Sequence, residues 1–205
     1  MSVADDTYKT IAKPAEGIYK EKGSKFLAYA YPVRTEDDVK EHVQQLKKEY
    51  FDARHHCYAY RIGGKGEQFR ANDDGEPSGT AGKPILGQLL SNELTNMLVV
   101  VIRYFGGIKL GTSGLIYAYK TATADAITNA EVVERTIDEQ LTIHFGYAVM
   151  NDVMRIVKEE QPNIMSQQLD MACRMQLAIR KSKAGRLRER LQKVEGLEVI
   201  DDNIL

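Results

Sequence analysis

Met97-Leu98-Val99-Val100-Val101-Ile102-Arg103-Tyr104-Phe105-Gly106-Gly107-Ile108-Lys109-Leu110-Gly111 is the stretch on which the fold turns. Its first six residues are apolar without a break, so Met97–Phe105 is predicted to be a strand buried on both faces. Such a strand needs packing layers above and below it. Gly106, Gly107, Gly111 and Gly114 then lead the chain into a helix predicted to reach about Ala130. Strand, glycine-rich turn and helix in that order bring backbone N–H groups and a helix N-terminus together, a setting that favours anions.

The segments before it supply the layers. Ile18 and Tyr19 precede a Gly23-Ser24 turn, and Phe26–Tyr31 follows, so residues 16–33 read as a hairpin. Thr35 stands three residues before Asp38, as in a capping box, and Val39, Val43, Leu46 and Tyr50 recur at helical spacing. Residues 55–62 read as a strand that the Gly63–Gly66 turn returns into Glu67–Ala71. Pro84 can open a helix whose buried side carries Ile85, Leu86, Leu89, Leu90 and Leu94.

The period changes after Thr136. Leu141, Ile143 and Phe145 alternate as a strand, and Val149, Val153 and Val157 recur as a helix. Ile164–Leu169 is a weaker strand, and Cys173, Met175, Leu177 and Ile179 alternate with Arg174, Gln176, Ala178 and Arg180. Leu187, Leu191 and Val194 form a helical stripe, and Leu197 with Val199 a last short strand. The order βαββαβ is the ferredoxin-like arrangement. The predicted class is therefore α+β, with two domains, 1–136 and 137–205, joined at Glu134–Asp138 where a protease should cut first.

Composition narrows the function. The 205 residues are 43% hydrophobic and 28% charged, as in ordinary globular proteins. Lys plus Arg number 28 against 29 Asp plus Glu, a net charge of -1, so any contact with a polyanion needs a local patch. A membrane span needs about 20 apolar residues, and the longest runs here have six. Asp5 and Asp6 precede no apolar stretch of the secretory kind, and Cys57 and Cys173 make no disulfide framework. A cytoplasmic protein with reduced thiols is expected, without a membrane partner.

Three groups of residues have chemistry to offer. Arg54, Arg103 and Lys109, with Gly106, Gly107 and Gly111, are the candidates for binding phosphate or nucleic acid. The spacing is neither a dinucleotide fingerprint nor a Walker A loop, because Gly82-Lys83 runs into Pro84. The loop Asp73–Gly82 is a second group, with Asp73, Asp74, Glu76, Ser78 and Thr80, and Lys83 just beyond it. Its acids suit Mg²⁺, or else Asp73 and Asp74 cap turns or pair with Arg54, Arg70 or Arg103. Arg174, Arg180, Arg186 and Arg190 are accessory basic residues, divided between the open sheet face and the helix side of the C-terminal domain. That open face would carry Thr142, His144, Arg174, Gln176 and Ala178, without the stacking aromatics of an RNA-recognition motif. His55, His56 and Cys57 match no zinc signature, and Ser78, Ser113 and Cys57 sit in no nucleophile motif, so no resident metal and no catalytic residue is expected.

Residues 53–60 (Ala-Arg-His-His-Cys-Tyr-Ala-Tyr), the run Asp73–Pro84 and the run Val101–Gly111 together resemble the IMPACT/YigZ family, in the family's order. The resemblance spans roughly residues 16–130, and His56 stands where an asparagine is frequent. It implies an N-terminal domain similar to domain 2 of ribosomal protein S5 and a ferredoxin-like second domain of the bacterial two-domain type. Eukaryotic relatives regulate translation by competing for an activator of a stress kinase. The expected function is a translation-associated binding protein touching RNA or the ribosome, without DNA specificity. The alternatives are an enzyme on a phosphate-bearing small molecule, with a cation at Asp73–Glu76, and a regulator that binds only protein through the Asp73–Gly82 loop.

Overall fold

The structure is a computed structural model and describes residues 6–201. In chain order the first elements are β1 (Thr7–Ile11), β2 (Ala15–Glu21), β3 (Ser24–Pro32), α1 (Glu36–Glu49), β4 (His55–Ile62) and β5 (Gln68–Asn72). They are followed by α2 (Gly82–Ser91), β6 (Met97–Tyr104), α3 (Gly111–Thr128) and β7 (Val132–Thr136). Then come β8 (Asp138–Gly146), a 3-10 turn at Tyr147–Val149, α4 (Met150–Glu160), β9 (Asn163–Gln168), β10 (Ala172–Arg180), α5 (Lys181–Gln192) and β11 (Leu197–Asp201). The chain forms two compact units, one of Tyr8–Arg135 and one from Thr136 onward that also takes in Asp6 and Thr7.

In the first unit β6 is the middle of a five-stranded antiparallel sheet, ordered β2-β3-β6-β4-β5. Seven of its eight residues are buried, as a strand covered on both faces requires. Met97, Val99 and Val101 join the core with Ile85, Leu89, Leu115, Tyr119 and Ala122 of α2 and α3. Leu98, Val100 and Ile102 face the other way, toward Val39 and Leu46 of α1. Alternation along one strand thus assigns each residue to one of two cores.

Local chemistry explains the element ends. Thr35 and Asp38 form the capping box: the Thr35 hydroxyl accepts from the Asp38 N–H, and the Asp38 carboxylate accepts from the Thr35 N–H. The β2–β3 turn is Lys22-Gly23, both at positive φ, rather than Gly23-Ser24. α2 starts at Gly82, so Pro84 lies inside its first turn, where no intrahelical N–H is missed. β6 stops at Tyr104, one residue before the predicted end, and Phe105 is exposed. The pairing of β1 with β7 had no signal in the apolar period, because both are short and mostly polar.

The second unit has the strand–helix order read from the sequence, and its sheet runs β11-β8-β10-β9, antiparallel throughout. Leu141, Ile143 and Phe145 meet Cys173, Met175, Leu177 and Ile179 across the β8–β10 pair, under Val153, Ile156, Leu187 and Leu191. On the opposite face Arg174 is exposed, but Thr142 and Ala178 are buried, so that face is not open along its length. Asp6 is held within this unit. Its carboxylate accepts two guanidinium hydrogen bonds from Arg180, at 2.6 and 2.7 Å, and one from the Ser182 N–H in the first turn of α5. Those donors, Arg180 foremost, hold its carboxyl well below the usual range. The Ile137 N–H donates to the Asp6 carbonyl, and the Ile137 carbonyl accepts from Lys181. Ile137, inside the Glu134–Asp138 stretch read as the boundary, is thus hydrogen-bonded through both of its backbone groups.

Gly17 shows how closely the first unit is packed. A Cβ there would stand 2.2 Å from the Ala126 nitrogen and 2.8 Å from the Ala122 carbonyl oxygen, so β2 lies directly on the α3 backbone. Gly17→Ala is expected to cost about 2 kcal/mol or more of unfolding free energy, because backbone cannot move aside as a side chain can. Urea unfolding of the purified variant measures it, and a loss within error would show that α3 shifts freely.

Candidate functional site

The loop between β5 and α2 is organised by its own acids. The Asp73 carboxylate accepts backbone N–H bonds from Gly79 (2.8 Å), Ala81 (3.0 Å) and Gly82 (2.8 Å). It thereby caps α2, whose own N-cap residue, Ala81, has no side chain that can do so. Burial alone would raise its pKa, but the three donors together outweigh it and hold the group below the ordinary carboxylate value. Asp74, at a φ of 39°, accepts the His56 N–H at 2.7 Å and pairs with Lys47 at 3.0 Å. Thr80 is buried and donates to the Pro77 carbonyl at 2.6 Å, while Ser78 and Lys83 are exposed.

Glu76 turns inward. One oxygen lies 2.6 Å from Arg103 Nη1 and accepts the Tyr119 hydroxyl at 2.8 Å. Only 9% of the Arg103 side chain and 3% of the Glu76 side chain is exposed. The Arg103 guanidinium sits 5.6 Å from the ring centroids of both Phe26 and Phe105. The Cys57 thiol lies 3.3 Å from the Tyr119 hydroxyl and 2.9 Å from the Asp73 carbonyl oxygen. Burial pushes both the Cys57 thiol and the Tyr119 phenol well above their usual pKa, so neither is poised as a nucleophile or base.

The structure corrects several sequence expectations here. Arg103 is the buried partner of Glu76, and of the two alternatives for Asp73 and Asp74 it is the capping of backbone N–H groups that is seen, with Lys47 rather than Arg54, Arg70 or Arg103 as the ion-pair partner of Asp74. The three acids point at three different sets of donors and do not converge, and among the described residues no group of three or more His, Cys, Asp or Glu could hold a metal ion. The accessory basic residues are largely neutralised. Arg186 and Arg190 pair with Glu160, Arg190 also with Glu159, and Arg180 with Asp6. Arg174 is exposed on β10 and does not join them.

What remains open is the turn. Gly107, Lys109 and Gly111 are exposed, Arg54 is exposed near the start of β4, and a Cβ at Gly107 or Gly111 would meet nothing within 4 Å. Gly106 differs: its N–H donates to Ser24 Oγ at 3.0 Å, and a Cβ would stand 2.0 Å from the Gly23 carbonyl carbon. It therefore serves packing of the turn on the β2–β3 hairpin. α3 begins at the end of the turn with no side-chain cap from Leu110 and no acid in its first turn. Around it Phe105, Ile108 and Tyr117 are more than half exposed, at 57, 56 and 59%. Sequence reading missed these three, since apolar residues beside a core strand read as core. A separate groove of about 350 Å³, lined by Tyr8, Thr10, Arg34, Asp38 and Arg135 among others, includes none of the predicted site residues.

Geometry and order define an antiparallel α+β protein that presents a glycine-rich turn above a buried Arg–Glu–Tyr cluster. The Impact N-terminal domain model matches residues 22–127, which hold all of that machinery. The chain is 37% identical over 155 residues to the IMPACT family member YvyE of Bacillus subtilis, covering 76% of this chain and 71% of that one. It is 36% identical over 138 residues to the IMPACT family member YigZ of Escherichia coli, covering 66% and 68%. A crystal structure of a hypothetical protein superposes with a TM-score of 0.76 at 26% identity, over 98% of this chain and 99% of that one. The chain belongs to the IMPACT family.

Two outcomes follow from the loop. Arg103→Ala strands a buried carboxylate and should cost about 3 kcal/mol in denaturant unfolding, whereas Arg103→Met with Glu76→Gln should recover most of the loss. Asp73 is depressed below its unfolded pKa, so its contribution is full above about pH 4 and fades as pH falls through the folded value. Asp73→Asn should therefore be less stable than the parent at pH 7, and the difference should shrink on acidification below pH ~4.

Proposed function

We propose that this chain is a translation-associated binding protein that contacts RNA or the ribosome through the Gly106–Gly111 turn. The observation that carries the reading is the exposed turn itself: Lys109 and Gly107 beside an α3 N-terminus that no side chain caps. Backbone N–H groups there suit a phosphate, Lys109 supplies charge, and exposed Phe105 offers a face on which a base stacks. Membership of the IMPACT family supports the association with translation. Arg54 adds charge near β4, while Arg103 is a positioning residue that fixes Phe105 and the start of the turn.

The first unit is inferred to be of the ribosomal protein S5 domain 2 kind and the second to be ferredoxin-like; the β11-β8-β10-β9 order supports the latter. A cytoplasmic location fits this reading, and among the described residues no helix is long and apolar enough to cross a membrane. The protein-only alternative draws on the exposed Phe105, Ile108 and Tyr117, which would also fit an apolar partner. The phosphate-enzyme alternative loses its cation ligands to the partners of Asp73, Asp74 and Glu76.

Fluorescence anisotropy with single-stranded RNA over a range of salt tests the proposal. Lys109→Ala should weaken binding evenly across sequences and lower the salt slope by about one unit. Phe105→Ala should cost about 1–3 kcal/mol of affinity, and Arg190→Ala should leave the slope unchanged. Unchanged binding and slope in a stably folded Lys109→Ala protein would assign the turn to structure and favour the protein-only reading.

A further inference from the structure

The groove of about 350 Å³ is separate from the glycine-rich turn, and its described lining falls within the first unit. One wall is the β1–β7 pair. The Ala12 N–H donates to the Glu131 carbonyl at one end of that pair, and the Ile137 N–H to the Asp6 carbonyl at the other. The two strands are therefore antiparallel, with Tyr8 opposite Arg135 and Lys9 opposite Glu134. Opposed residues share a face, so alternation sets Tyr8 and Arg135 toward the groove and turns Lys9 and Glu134 away. Lys9 is paired on that far side with Glu93. The other wall is the end of β3 and the entry to α1, with Val33, Arg34 and Asp38. The Asn96 carbonyl fastens the two walls together. It accepts from the Val33 N–H at 3.0 Å and from the buried Thr10 hydroxyl at 3.1 Å.

We propose that this groove binds a small phosphate monoester, held between Arg34 and Arg135. Neither guanidinium has a hydrogen bond or ion pair among the described residues. The acids beside them in sequence are committed elsewhere: Glu36 accepts from Tyr60, Asp37 pairs with Lys40, and Glu134 lies on the Lys9 side. Two guanidinium forks from different walls match the double charge and three free oxygens of a phosphate monoester. A carboxylate has one charge and two oxygens to offer them. The Tyr8 hydroxyl and the Asn96 side-chain N–H groups add neutral donors. Both bonds to the Asp38 carboxylate, from the Arg34 and Thr35 N–H groups, go to Oδ2, which leaves Oδ1 as an acceptor for a ligand hydroxyl. Ile11, Pro32 and Val33 give apolar lining for a carbon skeleton. The volume lies at the small end of the roughly 300–1,000 Å³ usual for ligand sites, so the ligand has the size of a sugar phosphate or a mononucleotide. This site does not depend on the reading of the Gly106–Gly111 turn.

Isothermal titration calorimetry of the full chain with ribose phosphate and adenosine monophosphate tests this, with ribose, adenosine and succinate as ligands that lack the phosphate. The parent should bind at least one of the two phosphates, and the three others at least about tenfold more weakly. Arg34→Gln and Arg135→Gln should each weaken binding about tenfold, and the two together should abolish it. Both side chains are exposed, so the thermal midpoint should not move. Arg174→Gln, which removes an exposed arginine of the second unit, and Lys109→Ala, in the turn, should bind as the parent does. A short RNA with and without a terminal phosphate separates the two sources of the group. A gain from that phosphate, lost in the double variant, assigns a strand end; binding of the small phosphates without such a gain assigns a free ligand. No heat from either small phosphate at millimolar concentration would overturn the proposal. So would succinate binding as tightly, or a folded double variant that binds as the parent does.

Discussion

Arg103 is the constraint to which the rest of the first unit is fitted. It extends from the last turn-side residues of a strand that is otherwise apolar, and its side chain is nearly as buried as its neighbours. A buried guanidinium needs an anion brought to it. Glu76 provides the anion, but only if the β5–α2 loop folds over the sheet end. Asp73 makes that possible by satisfying three backbone N–H groups of the loop and helix start. Tyr119, two turns into α3, completes the cluster from the other helix. One buried charge therefore ties together the central strand, the acidic loop, α2 and α3.

The same tie sets the turn that follows. The Arg103 guanidinium lies close to the Phe105 ring, and Gly106 is pressed onto the Gly23-Ser24 backbone, so the chain leaves the sheet in a defined direction. The residues after it are the ones that stay in solvent. A rigid base with an exposed tip is the usual arrangement for a loop that binds something. The acids and the arginine are the base. The glycines, Lys109 and the exposed aromatic are the tip.

Charge in the second unit has a comparable logic. Arg180, Arg186 and Arg190 read as a basic run because the acids that answer them lie elsewhere in the chain. Their charges are answered pairwise by Asp6, Glu159 and Glu160. β9 looked only like a weak strand in sequence, because its periodicity is poor: a strand covered on neither side has no reason to alternate.

Elements with a strong apolar period, and the class they form, can be read from the order of the residues alone. The doubly buried β6, the capping box at Thr35 and Asp38, and the strand–helix order after Thr136 were all legible, because each depends on neighbours a few residues apart. The turn at Gly106–Gly111 was legible too, as a cluster of glycines after a strand. The roles of the charged residues cannot be read that way, because they depend on partners far away in the chain. Glu76 and Arg103 are 27 positions apart, and Asp6 and Arg180 are 174 apart. A charge is compatible with many partners of the opposite sign, and the choice rests on which carboxylate the fold brings within about 3 Å and out of water. Apolar periodicity is a property of one element; ion pairing is a property of the space between elements.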